Sequence, residues 1–162
     1  MNPTTRVYED MLEMLPSEEN PTPIVRINRM APLPGFHLYA KLEWMNPFGS
    51  VKDRAAAALI AQLERDGKLG EGSERGIVEP TSGNTGLSLA AIAALKGYKA
   101  RMVVPEKVPL EKKVLLKLVG AELDVVADAL CPMPGSSDGT IGLAKTHARA
   151  QPDRYAMPNQ YE

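Results

Sequence analysis

The sequence predicts an α/β fold with a central parallel sheet, and two observations support this. Short apolar runs that are typical of strands alternate along the chain with amphipathic patterns of helical period. Turn-forming residues such as glycine and proline separate the runs. Strands that alternate with helices form βαβ units, in which neighbouring strands are parallel and the crossovers are right-handed.

The elements follow one another in a regular order. A helical pattern over 7–15 ends at Pro16. The predicted strands are IVRI (24–27), HLYAKLE (37–43), GIVE (76–79), KARMVV (99–104), AELDVVA (121–127) and RYAMP (154–158). The predicted helices cover 51–67, 87–97, the segment from Pro109 to Gly120, and 140–150, and a loop covers 131–139. The helix after Gly86 is apolar on nearly all sides, which suggests that further protein packs over it.

Composition excludes several classes of protein. The chain has 162 residues with 19 Lys+Arg against 20 Asp+Glu, so it is neither a strongly basic nucleic-acid binder nor a polybasic membrane binder. No apolar stretch approaches the roughly 20 residues of a membrane span. The start of the chain lacks the pattern of a signal peptide, and Cys131 is the single cysteine. We therefore expect a cytoplasmic protein with a free structural thiol. His37 and His147 lack metal-ligand spacing, so no metal site is expected.

The turn Asn46–Arg54 places a lysine at an unusual position. Ser50 and Asp53 have the spacing of a capping box, with Ser50 as the N-cap, which puts Lys52 in the first helical turn. The helix dipole and partial burial would favour the neutral, nucleophilic amine there. Such an amine could attack an aldehyde and form a Schiff base. A solvated lysine between Asp53 and Arg54 is the alternative.

The turn Glu79–Gly86 predicts an anion site. Its glycines allow a tight turn into a helix, whose first backbone N–H groups can hold a carboxylate or a phosphate. The side chains of Thr81, Ser82, Asn84 and Thr85 add donors. An ordinary capped loop is the alternative. The polar segment Asn159–Tyr161 after the last strand is a weaker candidate.

The two turns, in this order, resemble the family of cysteine synthase and cystathionine β-synthase, which are fold type II enzymes that use pyridoxal 5'-phosphate. The resemblance runs from about residue 20 to the end of the chain. It rests on NPTPIVRINRM, YAKLEWMNPFGSVKDRAA, IVEPTSGNTGLSLAAIAALKGYKARMVVPE, EKKVLLKLVGAEL and PGSSDGTIGLAKTHARAQPDRYAMPNQYE. The family reads Gly-Asn-Thr-Pro where this chain has Glu19–Pro23, a change in one turn.

The resemblance implies roles for individual residues. Lys52 resembles the lysine that binds the cofactor covalently and then removes the α-proton of the substrate. Asn84 resembles the residue that hydrogen-bonds the ring hydroxyl of the cofactor. Gln160 resembles the glutamine that completes the carboxylate site. The loop that holds the substrate carboxylate corresponds to Thr81, Ser82, Gly83, Asn84 and Thr85.

The resemblance also implies a domain arrangement. Residues 1–40 would belong to a larger cofactor domain, residues 41–152 would form a small three-layer αβα domain with a central parallel sheet of about four strands, and residues 153–162 would be a strand that returns to the larger domain. Family members are much longer than this chain. Their second half carries the loop for the cofactor phosphate, so a second polypeptide could supply it, and the complete enzyme would be a homodimer.

The implied activity is β-replacement on an activated serine, O-acetylserine or O-phosphoserine, in which sulfide gives cysteine. Cystathionine synthesis and β-elimination from serine or threonine are alternatives within the same chemistry. An alternative of another class is a non-catalytic module that binds an amino acid or a partner.

Overall fold

The sheet at the centre of the molecule has four parallel strands. The computed structural model describes residues 7–30, 35–127 and 139–161. The strands are β1 (Ile24–Ile27), β2 (Leu38–Lys41), β3 (Gly76–Pro80), β4 (Ala100–Pro105), β5 (Glu122–Val126) and β6 (Tyr155–Ala156). The helices are α1 (Lys52–Arg65), α2 (Asn84–Leu95), α3 (Leu110–Leu118) and α4 (Gly139–Ala150). The central sheet has the order β5-β4-β3-β6, which confirms the predicted α/β class and the strand number.

Helices cover both faces of this sheet. Ile77, Met102 and Val104 lie in one apolar cluster with residues of α1, α2 and α3. Val78 and Val103 point to the opposite face and pack with Ala144 of α4. Adjacent residues of β3 and β4 thus serve different clusters, as the alternation of side chains along a strand requires. No helix in the described parts of the chain is both long and apolar enough to cross a bilayer.

Two predicted elements differ from the structure. The segment 7–15 forms only a short 3-10 helix at Met11–Met14, because the Asp10 side chain accepts the Leu12 amide and Leu15 is already extended before Pro16. The HLYAKLE segment does not join the parallel sheet. Its strand β2 pairs antiparallel with β1 in a separate two-stranded sheet. The fourth strand of the parallel sheet is β6, which pairs with β3.

Helix α2 is apolar all round because the chain itself surrounds it. Its residues from Ser88 to Ala93 are buried. Its inner side packs on β3 and β4, and α1, α3 and the 3-10 helix at Met11–Met14 cover the remainder. The expectation that further protein is needed over α2 is therefore wrong.

Candidate active site

A cleft of about 280 Å³ lies where β3 passes into α2. Strand β3 ends at Pro80, and α2 begins at Asn84. The lysine, the Thr81–Thr85 loop and Gln160, which the sequence predicts as site residues, all line this cleft. Tyr161 of the weaker candidate segment also lines it, as does Lys112, which the sequence did not indicate. The lining residues are Lys52, Thr81, Ser82, Gly83, Asn84, Thr85, Lys112, Gln160 and Tyr161. The structure thus brings the lysine turn, the Thr81–Thr85 loop and Gln160 together in one place.

Buried hydrogen bonds hold the lysine turn. The fully buried carboxylate of Asp53 accepts the Phe48 amide at 2.8 Å and the Ser88 hydroxyl of α2 at 2.6 Å. The Asn46 side chain, also buried, donates to the Ser50 carbonyl at 2.9 Å and accepts the Thr22 hydroxyl at 2.7 Å. The sequence suggested that this turn follows a strand of the parallel sheet, but in the structure it does not. Packing of α1 on α2 and the bond between Asp53 and Ser88 bring it to the cleft.

The predicted capping box does not form at the start of α1. Ser50 Oγ accepts the amide of Lys52 at 3.1 Å rather than that of Asp53. Val51, in helical conformation, is the N-cap and offers no side-chain bond. Asp53 cannot reach back to Ser50 because its two oxygens are engaged by Phe48 and Ser88. The capping box does not form because the carboxylate of Asp53 accepts hydrogen bonds from residues outside the motif.

Lys52 lies in the first turn of α1 and lines the cleft, as predicted. Its side chain is exposed, so the expectation of partial burial is wrong. Its ammonium group forms no hydrogen bond or ion pair with any residue that the structure describes. The amine is thus free to react with a molecule that enters the cleft.

The loop from Thr81 to Thr85 is held by the side chain of Thr81, whereas three of its other side chains lack hydrogen bonds. Thr81 Oγ1, which is buried, accepts the amides of Gly86 at 3.0 Å and Gly83 at 3.3 Å. A Cβ atom at Gly86 would overlap the Thr81 side chain, so this close approach requires glycine. The side chains of Ser82, Asn84 and Thr85 make no hydrogen bond within the described parts of the chain. They and the first amides of α2 are available to an anion.

Gln160 reaches the cleft through contacts with β3. Its side-chain amide donates to the Pro80 carbonyl at 3.0 Å. The carboxylate of Glu79, which is fully buried, accepts the backbone amides of Asn159 at 2.9 Å and Gln160 at 3.0 Å. Desolvation by burial raises the pKa of Glu79 to about 7, against the lowering effect of these hydrogen bonds.

Sequence reasoning missed Lys112 and the part played by Glu79. Lys112 lies in the first turn of α3, and its Nζ is 3.2 Å from the position that a Cβ atom would take at Gly83. The predicted start of that helix at Pro109 could have identified it, by the argument used for Lys52. The isolated glutamate in the apolar run GIVEP was a signal for a buried carboxylate with partners.

The other titratable candidates lie away from the cleft. His37 contacts Arg26 at 2.7 Å, and His147 contacts Asp124 at 2.8 Å. The described residues contain no group of three or more histidine, cysteine, aspartate or glutamate side chains that could hold a metal ion. Cys131 and most of the predicted 131–139 loop lie outside the described residues.

The α/β fold holds a lysine and a loop with unpaired donors in one cleft, and comparison with known proteins specifies the class of protein to which the chain belongs. The family model described as "Pyridoxal-phosphate dependent enzyme" matches residues 15–162. The chain belongs to this family, whose members use pyridoxal phosphate.

Two of the curated proteins that the chain resembles are a probable and a named cysteine synthase. The chain is 45% identical over 141 residues to a probable cysteine synthase of Bacillus subtilis (strain 168), covering 87% of this chain and 43% of the relative. It is 42% identical over 137 residues to the cysteine synthase of Staphylococcus aureus (strain Mu50 / ATCC 700699), covering 85% of this chain and 43% of that protein. The chain thus spans less than half the length of these relatives.

Solved structures show the same likeness. A cysteine synthase from Entamoeba histolytica superposes with a TM-score of 0.79 at 31% identity, covering 99% of this chain and 45% of the other. An O-ureido-L-serine synthase gives a TM-score of 0.80 at 32% identity, covering 97% and 45%.

Proposed function

We propose that this chain carries the reactive lysine and the carboxylate-binding loop of an enzyme that makes cysteine from an activated serine. The observation that carries the proposal is the single cleft that Lys52 shares with the Thr81–Thr85 loop and Gln160. An amine that must react with an aldehyde and a loop that must hold the acid group of an amino acid have to lie this close together.

The residues present fit the aldehyde end of pyridoxal phosphate. Lys52 offers an ammonium group that no described residue engages, and Asn84 beside it offers an unpaired side-chain amide for the ring hydroxyl. When bound, the cofactor would act as the electron sink for a carbanion at the α-carbon of the substrate.

The chain's own groups would then act on the substrate. Ser82, Asn84 and Thr85 would orient its carboxylate, together with the amides at the start of α2, and Gln160 would complete the carboxylate site. Thr81 would act mainly through the backbone that its hydroxyl fixes, and Gly83 would leave room for the anion to approach. Lys52 would remove the proton from the α-carbon.

The reaction would be a β-replacement on O-acetylserine or O-phosphoserine. The bond from the β-carbon to the ester oxygen would break with release of acetate or phosphate, and sulfide would form a carbon–sulfur bond at the same carbon. The α-carbon would then regain the proton that Lys52 had removed. The proposal rests on the names of the relatives, which are cysteine synthases and an O-ureido-L-serine synthase. Cystathionine synthesis and β-elimination use the same groups, and a comparison of turnover with sulfide, homocysteine and no nucleophile would separate them.

Turnover would require protein beyond the residues of this chain, because the chain spans 43% of its relatives. We propose that the remainder of the fold, on this or a second polypeptide, supplies the grip on the cofactor phosphate and packs on the β1–β2 sheet. Large apolar side chains are exposed on and beside that sheet, among them Ile24 (62%), Tyr39 (58%) and Phe36 (53%). In this arrangement residues 1–40 and 153–162 would join a larger domain, and the complete enzyme would be a cytoplasmic homodimer.

Reductive labelling tests the proposal on the chain itself. The protein is mixed with pyridoxal phosphate and reduced with borohydride, and the labelled peptide is identified by mass spectrometry. We expect the label on Lys52 at a lower cofactor concentration than on any other lysine, because the cleft supplies the neighbouring donors. The Lys52→Ala variant should lose this label.

A control variant shows whether the label is specific for Lys52. Lys117→Ala, an exposed lysine of α3 away from the cleft, should label as the wild type does. Label spread evenly over the surface lysines, alone and with the second half of a relative added, would refute the enzyme proposal. That outcome would favour the non-catalytic binding module.

A further inference from the structure

We propose that Glu79 is a positioning residue that holds Gln160 in the cleft. This inference rests on the proposed function, in which Gln160 binds the carboxylate of the substrate. Glu79 does not line the cleft itself. It would act through the backbone that it grips.

The geometry of the contact supports this role. Glu79 Oε2 accepts the amide of Asn159 at 2.9 Å, and Oε1 accepts the amide of Gln160 at 3.0 Å. Each oxygen therefore holds one of two successive amides, which fixes both the position and the direction of that segment. The next residue of β3, Pro80, accepts the side chain of Gln160 at 3.0 Å. The end of β3 thus fixes Gln160 at its backbone and at its side chain.

The backbone that Glu79 grips is in a conformation that needs support. Asn159 has a φ of 60°, in the left-handed region that residues other than glycine seldom occupy. Such a conformation persists where the surroundings enforce it, and two hydrogen bonds to a buried carboxylate do so. The segment also follows β6, which is only two residues long, so the strand alone gives it little support.

The burial of Glu79 carries a cost that the hydrogen bonds do not remove. Its side chain is fully buried, and desolvation raises its pKa to about 7 in spite of the two amides. An apolar side chain would fill the same place without this cost. A buried carboxyl group with two directed contacts is therefore better explained by positioning than by stability.

Hydrogen exchange measured by NMR tests the contact. In the wild type we expect the amides of Asn159 and Gln160 to exchange more slowly than those of the exposed loop at 71–74. In Glu79→Gln, where an amide group faces one of these N–H donors, exchange at both positions should rise about tenfold, the factor for the loss of one buried hydrogen bond. The amides of Met102 and Val103 in β4 should not change, and the surface variant Glu74→Gln should match the wild type.

Binding separates positioning from a purely structural role. The probe is L-serine, and the signal is the shift of the Gln160 side-chain resonance. We expect the dissociation constant for L-serine to rise about tenfold in Glu79→Gln. Gln160→Ala should show the same rise, measured through the Ser82 amide because this variant lacks the Gln160 side chain. Labelling of Lys52 by pyridoxal phosphate should stay at the wild-type level, because Glu79 does not contact the lysine turn. Glu79→Asp, too short to reach both amides, should resemble Glu79→Gln.

Each outcome decides one of the two proposals. Free exchange at Asn159 and Gln160 in the wild type would overturn the role of Glu79, whether or not any variant folds. Unchanged L-serine binding in a folded Glu79 variant would also overturn it. Suppose that pyridoxal phosphate does not label Lys52 of the wild type, while the amides of Asn159 and Gln160 still exchange slowly. This result would contradict the proposed function, but the contact between Glu79 and the Asn159–Gln160 segment would stand.

Discussion

The two turns that meet at the cleft are built in opposite ways. In the turn before α1, polar side chains are engaged inside the protein, with Asp53 and Asn46 fully hydrogen-bonded and buried. In the loop before α2, the buried Thr81 hydroxyl holds the backbone, and the side chains of Ser82 and Asn84 point outward without partners among the described residues. The turn before α1 is thus anchored through its own polar side chains. The loop before α2 is anchored at Thr81 and leaves the side chains of Ser82 and Asn84 exposed.

Removal of the Asp53 carboxylate should give the largest loss of stability. The variant Asp53→Ala removes the acceptor of the Phe48 amide and one of the two acceptors of the buried Ser88 hydroxyl, which keeps only the Asn84 carbonyl at 3.0 Å. It also leaves unfilled a space that is fully buried, so we expect the free energy of unfolding to fall by about 4 kcal/mol. Urea denaturation followed by circular dichroism measures this change. Asp153→Ala, at an exposed position, is the control and should unfold near the wild type. Equal midpoints for the two variants would show that the lysine turn is not anchored by Asp53.

The buried carboxyl group of Glu79, at the end of the strand before the Thr81–Thr85 loop, should make the free energy of unfolding depend on pH. Below pH 4.5 Glu79 is protonated in the folded and the unfolded chain alike. As pH rises from 4.5 to about 7, the unfolded chain releases this proton while the folded chain keeps it, so the folded state loses stability. Above that range both states are ionised and the loss is complete. At ~1.4 kcal/mol for each pH unit between the two pKa values, the total is about 3 kcal/mol.

The measurement compares wild type and Glu79→Gln by urea denaturation across this pH range. The variant lacks the titrating group, so the stability of the wild type relative to the variant should decline as pH rises. Glu74→Gln, which changes an exposed side chain, should follow the wild-type curve. Parallel curves for wild type and Glu79→Gln would mean that the buried carboxyl group does not titrate in this range.

A methyl group at Gly86 should disturb the base of the loop. The added Cβ atom of Gly86→Ala would overlap the Thr81 side chain, which is buried and cannot move away freely. We expect a loss of about 2 kcal/mol in the free energy of unfolding. Gly70→Ala is the matched control, because a Cβ atom there meets nothing within 4 Å. A stable Gly86→Ala variant that still binds L-serine would show that the loop tolerates a shift of Thr81.

The sequence predicted the central sheet well because local signals and tertiary structure agree there. Strands such as GIVE and KARMVV carry apolar residues on both faces and are almost entirely buried, which is what a covered parallel sheet requires. The prediction was wrong where a distant contact decided the outcome. Strand β2 has no local feature that distinguishes antiparallel pairing with β1 from addition to the parallel sheet. Asp53 left its expected capping bond for Ser88, which lies 35 residues further along the chain.

The composition of the candidate site was predictable for a similar reason. Lys52 and the Thr81–Thr85 loop carry local signals, a cation and an anion cradle at the starts of helices. Lys112 carries the same signal as Lys52, a cation in the first turn of a helix, but it stands in a charge run that is typical of a solvated helix face. The contact between Glu79 and Gln160 joins residues 81 positions apart, so no reading of the local pattern could reveal it.

The smallest change in stability is expected for a substitution in the loop before α2, at a side chain that makes no hydrogen bond. Ser82 is exposed and its hydroxyl has no partner within the described residues, so Ser82→Ala should change the free energy of unfolding by no more than about 0.5 kcal/mol. The same variant should weaken L-serine binding several-fold, since the hydroxyl would be a donor to the carboxylate. Ser73→Ala controls for the loss of a serine away from the cleft. The Ser73 hydroxyl accepts the Arg75 amide in an exposed loop. If Ser82→Ala were as destabilising as Asp53→Ala, both turns would be structural, and the contrast between an anchored amine and an open set of donors would be wrong.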